Sequence, residues 1–460
     1  MNPSRYFLFI LSAVVCPALS GAAEPSYHSI EKTVSDHTGI AVRWQQEAAA
    51  REEALTQVRA LLKKPLTVNS AVRIALLNNR DWLATLEDFG ISVADLREAG
   101  FWKNPSIDLS IRFPNRGSLL ADNEEGAVLD LLDLLMAPLR WRVAAEHLAA
   151  TQLRVSDQAL RLAGDVKQAV YALQADEALL AQRKAIVEVN AGAIDLAQRQ
   201  HSAGNITDLA LAKQQAAYDS ARLEAANAEN MRREDREKLN RLLSLWGPDI
   251  AWTLASGLPS LPEGDVSLRG LESLAVAQRL DLAAAQAELS GVVRALGLTK
   301  TYRYIGALDF GVNSEREPEG ERITGPTLHL EIPLFNQGQA RVAKGEAELR
   351  QAERRLEGLA INIRSDVRAL HDKLTALRQT VRFYHDEIVP NRRAITADTQ
   401  LRYNGMLVGN YEFFDARAEQ IETEQKSIEA LRDYWMTRAQ LERAVGGNLH
   451  VYPNAQTTRK

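Results

Sequence analysis

The sequence predicts a mostly α protein with a small membrane β part, laid out as duplicated long α-helical hairpins plus four short strands. Three observations predict it. Between Leu349 and Val381 apolar residues recur in steps of 3, 4, 3, 4, 4, 3, 4, 3, 4, which is a coiled-coil seam with one stutter that relaxes its supercoil. Four short stretches switch to an alternating or apolar strand pattern. Finally, landmarks recur at a near-constant offset: Asp81 and Asp281 are 200 residues apart, Gly204 and Gly405 are 201 apart, and Gly247 and Gly447 are 200 apart.

The chain of 460 residues carries a formal charge of -5 with acids and bases interspersed along the helical segments. That pattern is a solvated helix face and gives no reason to expect nucleic acid as a partner. Residues 1–23 read as a secretory signal peptide: Arg5 near the start, an apolar run over 6–19, and small residues up to Ala22 and Ala23. An uncleaved anchor is the alternative, although Pro17 interrupts a run too short to span a bilayer. The single cysteine, Cys16, lies inside this run, so the mature chain is expected to hold no thiol; lipidation at Cys16 stays open, against the unfavourable Val15 before it.

Residues 24–65 are polar with a weak helical pattern and read as an extension on the outside of the body. The first repeat, 66–256, opens on an amphipathic run to Gly100. Ile107, Leu109, Ile111 and Phe113 then alternate with polar residues as a strand. A polar loop follows to Glu125, and the apolar run 128–136 reads as a second strand ended by Pro138, closing a hairpin over 106–137. A long helix over 139–203 carries Val155, Ala159, Leu162, Val166, Ala169 and Leu173 as its seam. It breaks at Ala203-Gly204-Asn205, and a helix over 206–246 returns. After a Pro/Gly-bearing linker at 257–267, the second repeat, 268–447, has the same order: a helix, a strand hairpin over 303–334, a long helix over 339–404 and a helix over 408–446, with a tail at 448–460. As one element, Gln339 to Asn404 would be a rod of 66 residues, about 100 Å long. It is too charged to cross a bilayer and too long for a globule.

Four strands are too few to close a barrel. If they lie in lipid, where an open edge is not tolerated, other copies must complete the wall. A small water-exposed sheet capping the helices is the alternative.

The duplicated plan resembles the TolC family of bacterial outer-membrane efflux ducts. The likeness rests on the opening at 66–81, on Gly325-Pro326-Thr327 through Pro333-Leu334-Phe335-Asn336-Gln337-Gly338, and on Arg402-Tyr403-Asn404-Gly405 through Phe414-Asp415-Ala416-Arg417. The first hairpin departs from the pattern, ending as Met136-Ala137-Pro138-Leu139-Arg140. The resemblance implies a homotrimer: twelve strands in one barrel in outer-membrane lipid, a long α-barrel in the periplasm, a periplasmic adaptor protein and an inner-membrane pump of the resistance-nodulation-division type as partners. Leu76-Leu77-Asn78-Asn79 and Ala203-Gly204-Asn205-Ile206-Thr207-Asp208 tilt it toward the heavy-metal exporters of that family, with drug efflux and type I secretion as alternatives.

The resemblance also places gate and adaptor contact at the two helix turns, 203–209 and 404–411. Gly204, Gly405 and Gly409 are expected to reverse the chain with positive φ. Asn205 and Asp208 are expected to cap the next helix near Thr207, with three copies of Asp208 ringing a pore, and Arg402, Tyr403 and Asp415 to hold the closed state. Capping and ordinary surface pairing are the plainer readings of these residues. Enzymatic chemistry finds no support: the eight histidines lack metal spacing, His385-Asp386-Glu387 lies on a charged helix, no phosphate loop or nucleophile motif appears, and no cofactor is expected. A periplasmic adaptor would need flanking β domains, and a non-conducting stalk would not conduct.

Overall fold

A computed structural model describes residues 27–44, 48–113, 115, 121–255, 257–264, 266–316 and 321–449. The expected leader with Cys16, and all but two residues of the expected tail, lie outside the described residues. The order is α1 (Tyr27–Thr38), α2 (Ala48–Leu62), α3 (Val68–Asn78), α4 (Arg80–Gly100), β1 (Ser106–Arg112), β2 (Asp122–Asp130), α5 (Leu131–Ser202), α6 (Asp208–Leu243), α7 (Leu271–Gln278), α8 (Leu280–Tyr302), β3 (Leu308–Arg316), β4 (Arg322–Leu330), α9 (Gln339–Phe383), α10 (Val389–Asn404) and α11 (Asn410–Val445).

Each repeat opens on two helices where the periodicity suggested one. The break falls at Asn79 and at Arg279, 200 residues apart, and both adopt extended φ/ψ. Asn79 ends α3 and caps α4, its side chain accepting from the Trp82 amide at 2.7 Å. Asn78 and Asn79 also donate through their amides to the Leu243 and Leu242 carbonyls at 2.8 and 2.9 Å. These are carbonyls at the end of α6 with no partner in their own helix.

The strands sit closer to their turns than the alternation implied. β2 begins at Asp122, inside the stretch read as loop, and β3 runs on to Arg316. The polar residues are held by cross-strand bonds: Arg112 to Glu124 at 2.7 Å and Asn313 to Glu124 at 3.0 Å. The run 131–136 is not strand: α5 starts at Leu131, capped by Asp130, whose side chain accepts from the Asp133 amide at 2.8 Å. Asp133 is bound in turn by Arg140, so the two acids in the apolar run were a helix start. Pro138 lies inside this helix and ends nothing.

The rod from Gln339 to Asn404 is continuous but contains a π turn at Tyr384–Ile388, just before Pro390. Proline lacks an amide hydrogen and its ring crowds the carbonyl four residues back; a widened turn relieves both. Ile363 and Val367, which flank the second step of the stutter, are fully buried.

The sheet is antiparallel in the order β1-β2-β3-β4, so the two hairpins join through β2 and β3 while β1 and β4 are its edges. Among the long helices α5 packs on α6 and α11, and α11 packs on α9 and α10. The sequence across the body is therefore α6, α5, α11, then α9 with α10. The two middle helices are tied by Lys167 to Glu442 at 2.7 Å and Gln440 to Gln168 at 3.0 Å.

The described residues of 24–65 are not an outer appendage. Ile30, Val34 and Val58 are buried in the core of the first repeat, and the Trp44 indole donates to the Leu76 carbonyl at 2.9 Å. The Asn448 amide reaches the His37 carbonyl at 2.9 Å, so this segment fastens the end of the second repeat to the first. The linker is strapped down as well. Arg378 donates to the Gly264 and Pro262 carbonyls at 2.8 and 2.7 Å, and Trp435 to that of Pro259 at 2.8 Å.

Candidate functional site

At the first turn, between α5 and α6, Gly204 takes φ +74, and its amide and that of Asn205 bond back to His201 and Gln200, each at 2.8 Å. This is a glycine-dependent helix stop. Neither Asn205 nor Asp208 caps α6. Thr207 does, its hydroxyl accepting from the Ala210 amide at 3.2 Å. Asp208 instead meets the His201 ring at 2.6 Å, with its side chain 96% exposed.

The second turn, between α10 and α11, reverses differently. Gly405 and Gly409 have φ of -82 and -77, and the left-handed position belongs to Met406 at φ 57. Gly409 precedes α11 with no side-chain cap, and a Cβ there would meet nothing within 4 Å, so packing inside this chain gives no reason for a glycine. Arg402 pairs with Asp398 at 2.9 Å, and Tyr403 stacks on Phe413 with centroids 5.4 Å apart. Asp415 is exposed and, among the described residues, forms no ion pair. The three residues expected to act together therefore do not meet: Arg402 and Tyr403 have separate partners, and Asp415 pairs with neither.

Two contacts between the turns escaped the sequence reading. The Tyr411 hydroxyl donates to the Gln200 side-chain oxygen at 2.9 Å, and the Phe414 ring packs at Gly192, where a Cβ would lie 3.5 Å from it. Gly192 in an alanine-rich helix was the available signal. Beyond these contacts the tips are apolar and uncovered: Met406 is 93% exposed and Leu407 77%, with Leu401 and Leu209 also open.

At the other end the sheet has two unlike faces, because directly opposed residues share a side. One face carries the rows Leu308–Leu330, Leu129–Phe310–Leu328 and Ile107–Ala127–Val312–Pro326. The other carries Asp130–Asp309–His329, Asp108–Gly126–Asn313–Gly325 and Ser110–Glu124–Glu315–Ile323. The first is apolar and exposed; the second is rich in carboxylates. Among the described residues no group of three or more side chains is placed to hold a metal ion, and no helix is long and apolar enough to cross a membrane.

Two buried groups lie between the ends. The Asp176 carboxyl on α5, 6% exposed, faces Asp235 on α6 with Arg432 of α11 nearby; burial first, then hydrogen bonding and repulsion from Asp235, push it up to about 7. Tyr171, earlier on α5, is pushed up to about 12, chiefly by burial.

No protein-family model and no curated protein sequence matches the chain. Its fold is that of outer-membrane channels. A membrane protein from Pseudomonas aeruginosa superposes with a TM-score of 0.70 at 19% identity, over 85% of this chain and 92% of that one. CusC, solved in a study of folding and transmembrane channel formation, matches with a TM-score of 0.66 at 17% identity over the same shares, 85% and 92%. The CmeC outer-membrane channel of Campylobacter jejuni matches with a TM-score of 0.66 at 15% identity over 93% of each chain.

Proposed function

We propose that the protein is the outer-membrane duct of a tripartite efflux system, a passive homotrimer of the TolC family. The observation that carries this reading is the sheet. It has an apolar exposed face, a polar opposite face and two edges, β1 and β4, in a chain that ends in helical rods about 100 Å long. Three copies close the edges into a twelve-stranded barrel with the apolar face on lipid and the carboxylates on the lumen. The helices then form the periplasmic α-barrel of a Gram-negative cell. α6 of one copy meets α9 and α10 of the next, which covers the exposed Leu223 and Met231 on one flank and Ile361, Phe383 and Ile395 on the other.

The turns are the end that meets a periplasmic adaptor, and the uncovered Met406 and Leu407 beside the uncapped Gly409 are what an adaptor would cover. Three copies of Asp208 ring the entrance. An inner-membrane pump of the resistance-nodulation-division type supplies the energy, so the duct itself catalyses nothing.

The duct reading is tested by chemical cross-linking and flotation. Trimers that float with lipid vesicles are expected, whereas a monomer that stays in the aqueous fraction contradicts it. For cargo we infer heavy-metal cations, supported by the first-turn and Leu76-Leu77-Asn78-Asn79 resemblance and by the carboxylate-rich lumen face. A deletion strain should lose tolerance to copper, silver, zinc, cobalt or cadmium; lost tolerance to organic drugs alone would assign the duct to a drug exporter.

A further inference from the structure

On the apolar face of the sheet, the rows of β3 and β4 change character step by step toward the turn: Leu308–Leu330, Phe310–Leu328, Val312–Pro326, then Ser314–Thr324, then Arg316–Arg322. The last row sets two guanidinium groups directly opposite each other, an arrangement that repels in a sheet. One is fixed and partly neutralised: Arg322 donates to Glu125 at 3.0 Å and to the Ser314 hydroxyl at 2.9 Å. Arg316 is exposed and makes no ion pair among the described residues. The opposite face shows what a balanced arginine looks like, since Arg112 there reaches both Asp122, at 3.5 Å, and Glu124, at 2.7 Å. Among the described strand residues the outer face thus holds two cations against the single carboxylate of Glu125, while the inner face holds the surplus of acids.

Depth supplies the meaning. From Val312 to Arg316 the strand advances four residues, about 13 Å along its length at 3.3 Å each. With strands tilted by about 40° that is roughly 10 Å of height beyond the last apolar row. This level is where a bilayer changes from hydrocarbon to headgroups. Rows in a tilted sheet run obliquely, so the same row can end at Asn123 and Ile111 on β2 and β1, at a different depth.

We propose that Arg316 and Arg322 form a docking site for the phosphate of an anionic lipid headgroup in the outer leaflet, one site per subunit on the barrel exterior. A phosphate between the two guanidinium groups removes their mutual repulsion and accepts paired, charge-assisted hydrogen bonds. The surface holds the barrel at a fixed depth and selects phosphate-bearing lipid for its boundary. The inference rests on the membrane reading above, and its test separates the two.

Purified full-length trimer in detergent is titrated with bisphosphorylated lipid A, with dephosphorylated lipid A and with sodium phosphate, and bound mass is read by native mass spectrometry. Wild type should bind the bisphosphorylated lipid at least about tenfold more tightly than Arg316→Gln or the Arg316→Gln/Arg322→Gln pair, the loss expected for charge-assisted hydrogen bonds. The dephosphorylated lipid should not distinguish the proteins, and phosphate alone should leave the mass unchanged. Equal lipid binding by wild type and Arg316→Gln overturns the proposal, as does saturation by phosphate without lipid. Arg316→Gln breaks no ion pair among the described residues, so it is the variant that keeps the sheet intact, and flotation with vesicles verifies its insertion. Wild type that fails to float sinks the membrane reading and the site together; wild type and variant that both float, with no difference in lipid binding, sink the site alone.

Discussion

The two repeats follow one path with different fastenings. In the first, polar side chains close most junctions: Thr67 and Ser70 cap α3 reciprocally, Asn79 caps α4, Asn78 and Asn79 hold the end of α6, and Thr207 caps α6 at the turn. In the second, the equivalent junctions rely on backbone shape. Gly446 ends α11 at φ +93 against the backbone of Gln278 and Arg279, α7 starts without a side-chain cap, and Gly409 leaves α11 uncapped. The repeats share a helical path because apolar spacing encodes it, while the polar fastenings are local and differ between them. The first repeat caps the helix that leaves its turn with Thr207, and the second leaves the start of α11 without a side-chain cap.

Substitutions in both repeats can break or sharpen this comparison, taken from the largest expected effect. Gly446→Ala should cost about 2–3 kcal/mol in denaturant unfolding, since a Cβ would sit 3.1 Å from the Gln278 carbonyl at a positive φ. The matching change in the first repeat, Ser244→Gly, should shift stability by less than about 1 kcal/mol, because relief of φ 50 is offset by loss of the bond that the Ser244 hydroxyl accepts from the Arg80 amide at 3.1 Å. Equal effects at both sites would erase the distinction. Asn79→Ala should cost about 2 kcal/mol, removing a cap and a bond to the Leu242 carbonyl. Arg279 caps nothing, but its guanidinium holds Asp281 through two hydrogen bonds at 2.9 and 2.5 Å, so Arg279→Ala should cost at least as much in the same assay, through the lost ion pair and not a lost cap.

Next comes a pH effect. Asp176 has its folded pKa raised from 3.8 to about 7 by burial and by Asp235. Its folded form therefore holds a proton that the unfolded chain has lost, and stability should fall as pH rises from about 4 to about 7, then level. Asp176→Asn keeps the shape without the charge, so its melting temperature should show a shallower decline over that window; an unchanged slope would place the titration elsewhere. The smallest effects are at the turns. Thr207→Ala should cost about 1 kcal/mol, read as faster amide exchange in the first turn of α6. Gly409→Ser should stabilise by a few tenths of a kcal/mol by adding the missing cap, yet weaken capture by an adaptor if the bare backbone there is a contact.

The repeat order, the seams through Val166 and Ile363 and the position of both turns were legible because periodicity and glycine placement are local signals. Three features were not. The start of α5 is hidden because Leu131 to Met136 is apolar enough for a strand, and the Asp130 cap with the pairing of Asp133 and Arg140 marks it as a helix. The break at Arg279 carries no sequence mark, since it forms around Gly446 from the far end of the repeat. At the second turn Met406, not a glycine, takes the left-handed conformation, so counting glycines found the turn and missed its geometry.

The most direct test of the duct is single-channel conductance of the purified trimer in planar bilayers, comparing wild type with Asp208→Ala. The account predicts cation-preferring openings whose conductance rises when the Asp208 ring is removed. A trimer that inserts and carries no current in either form would contradict it.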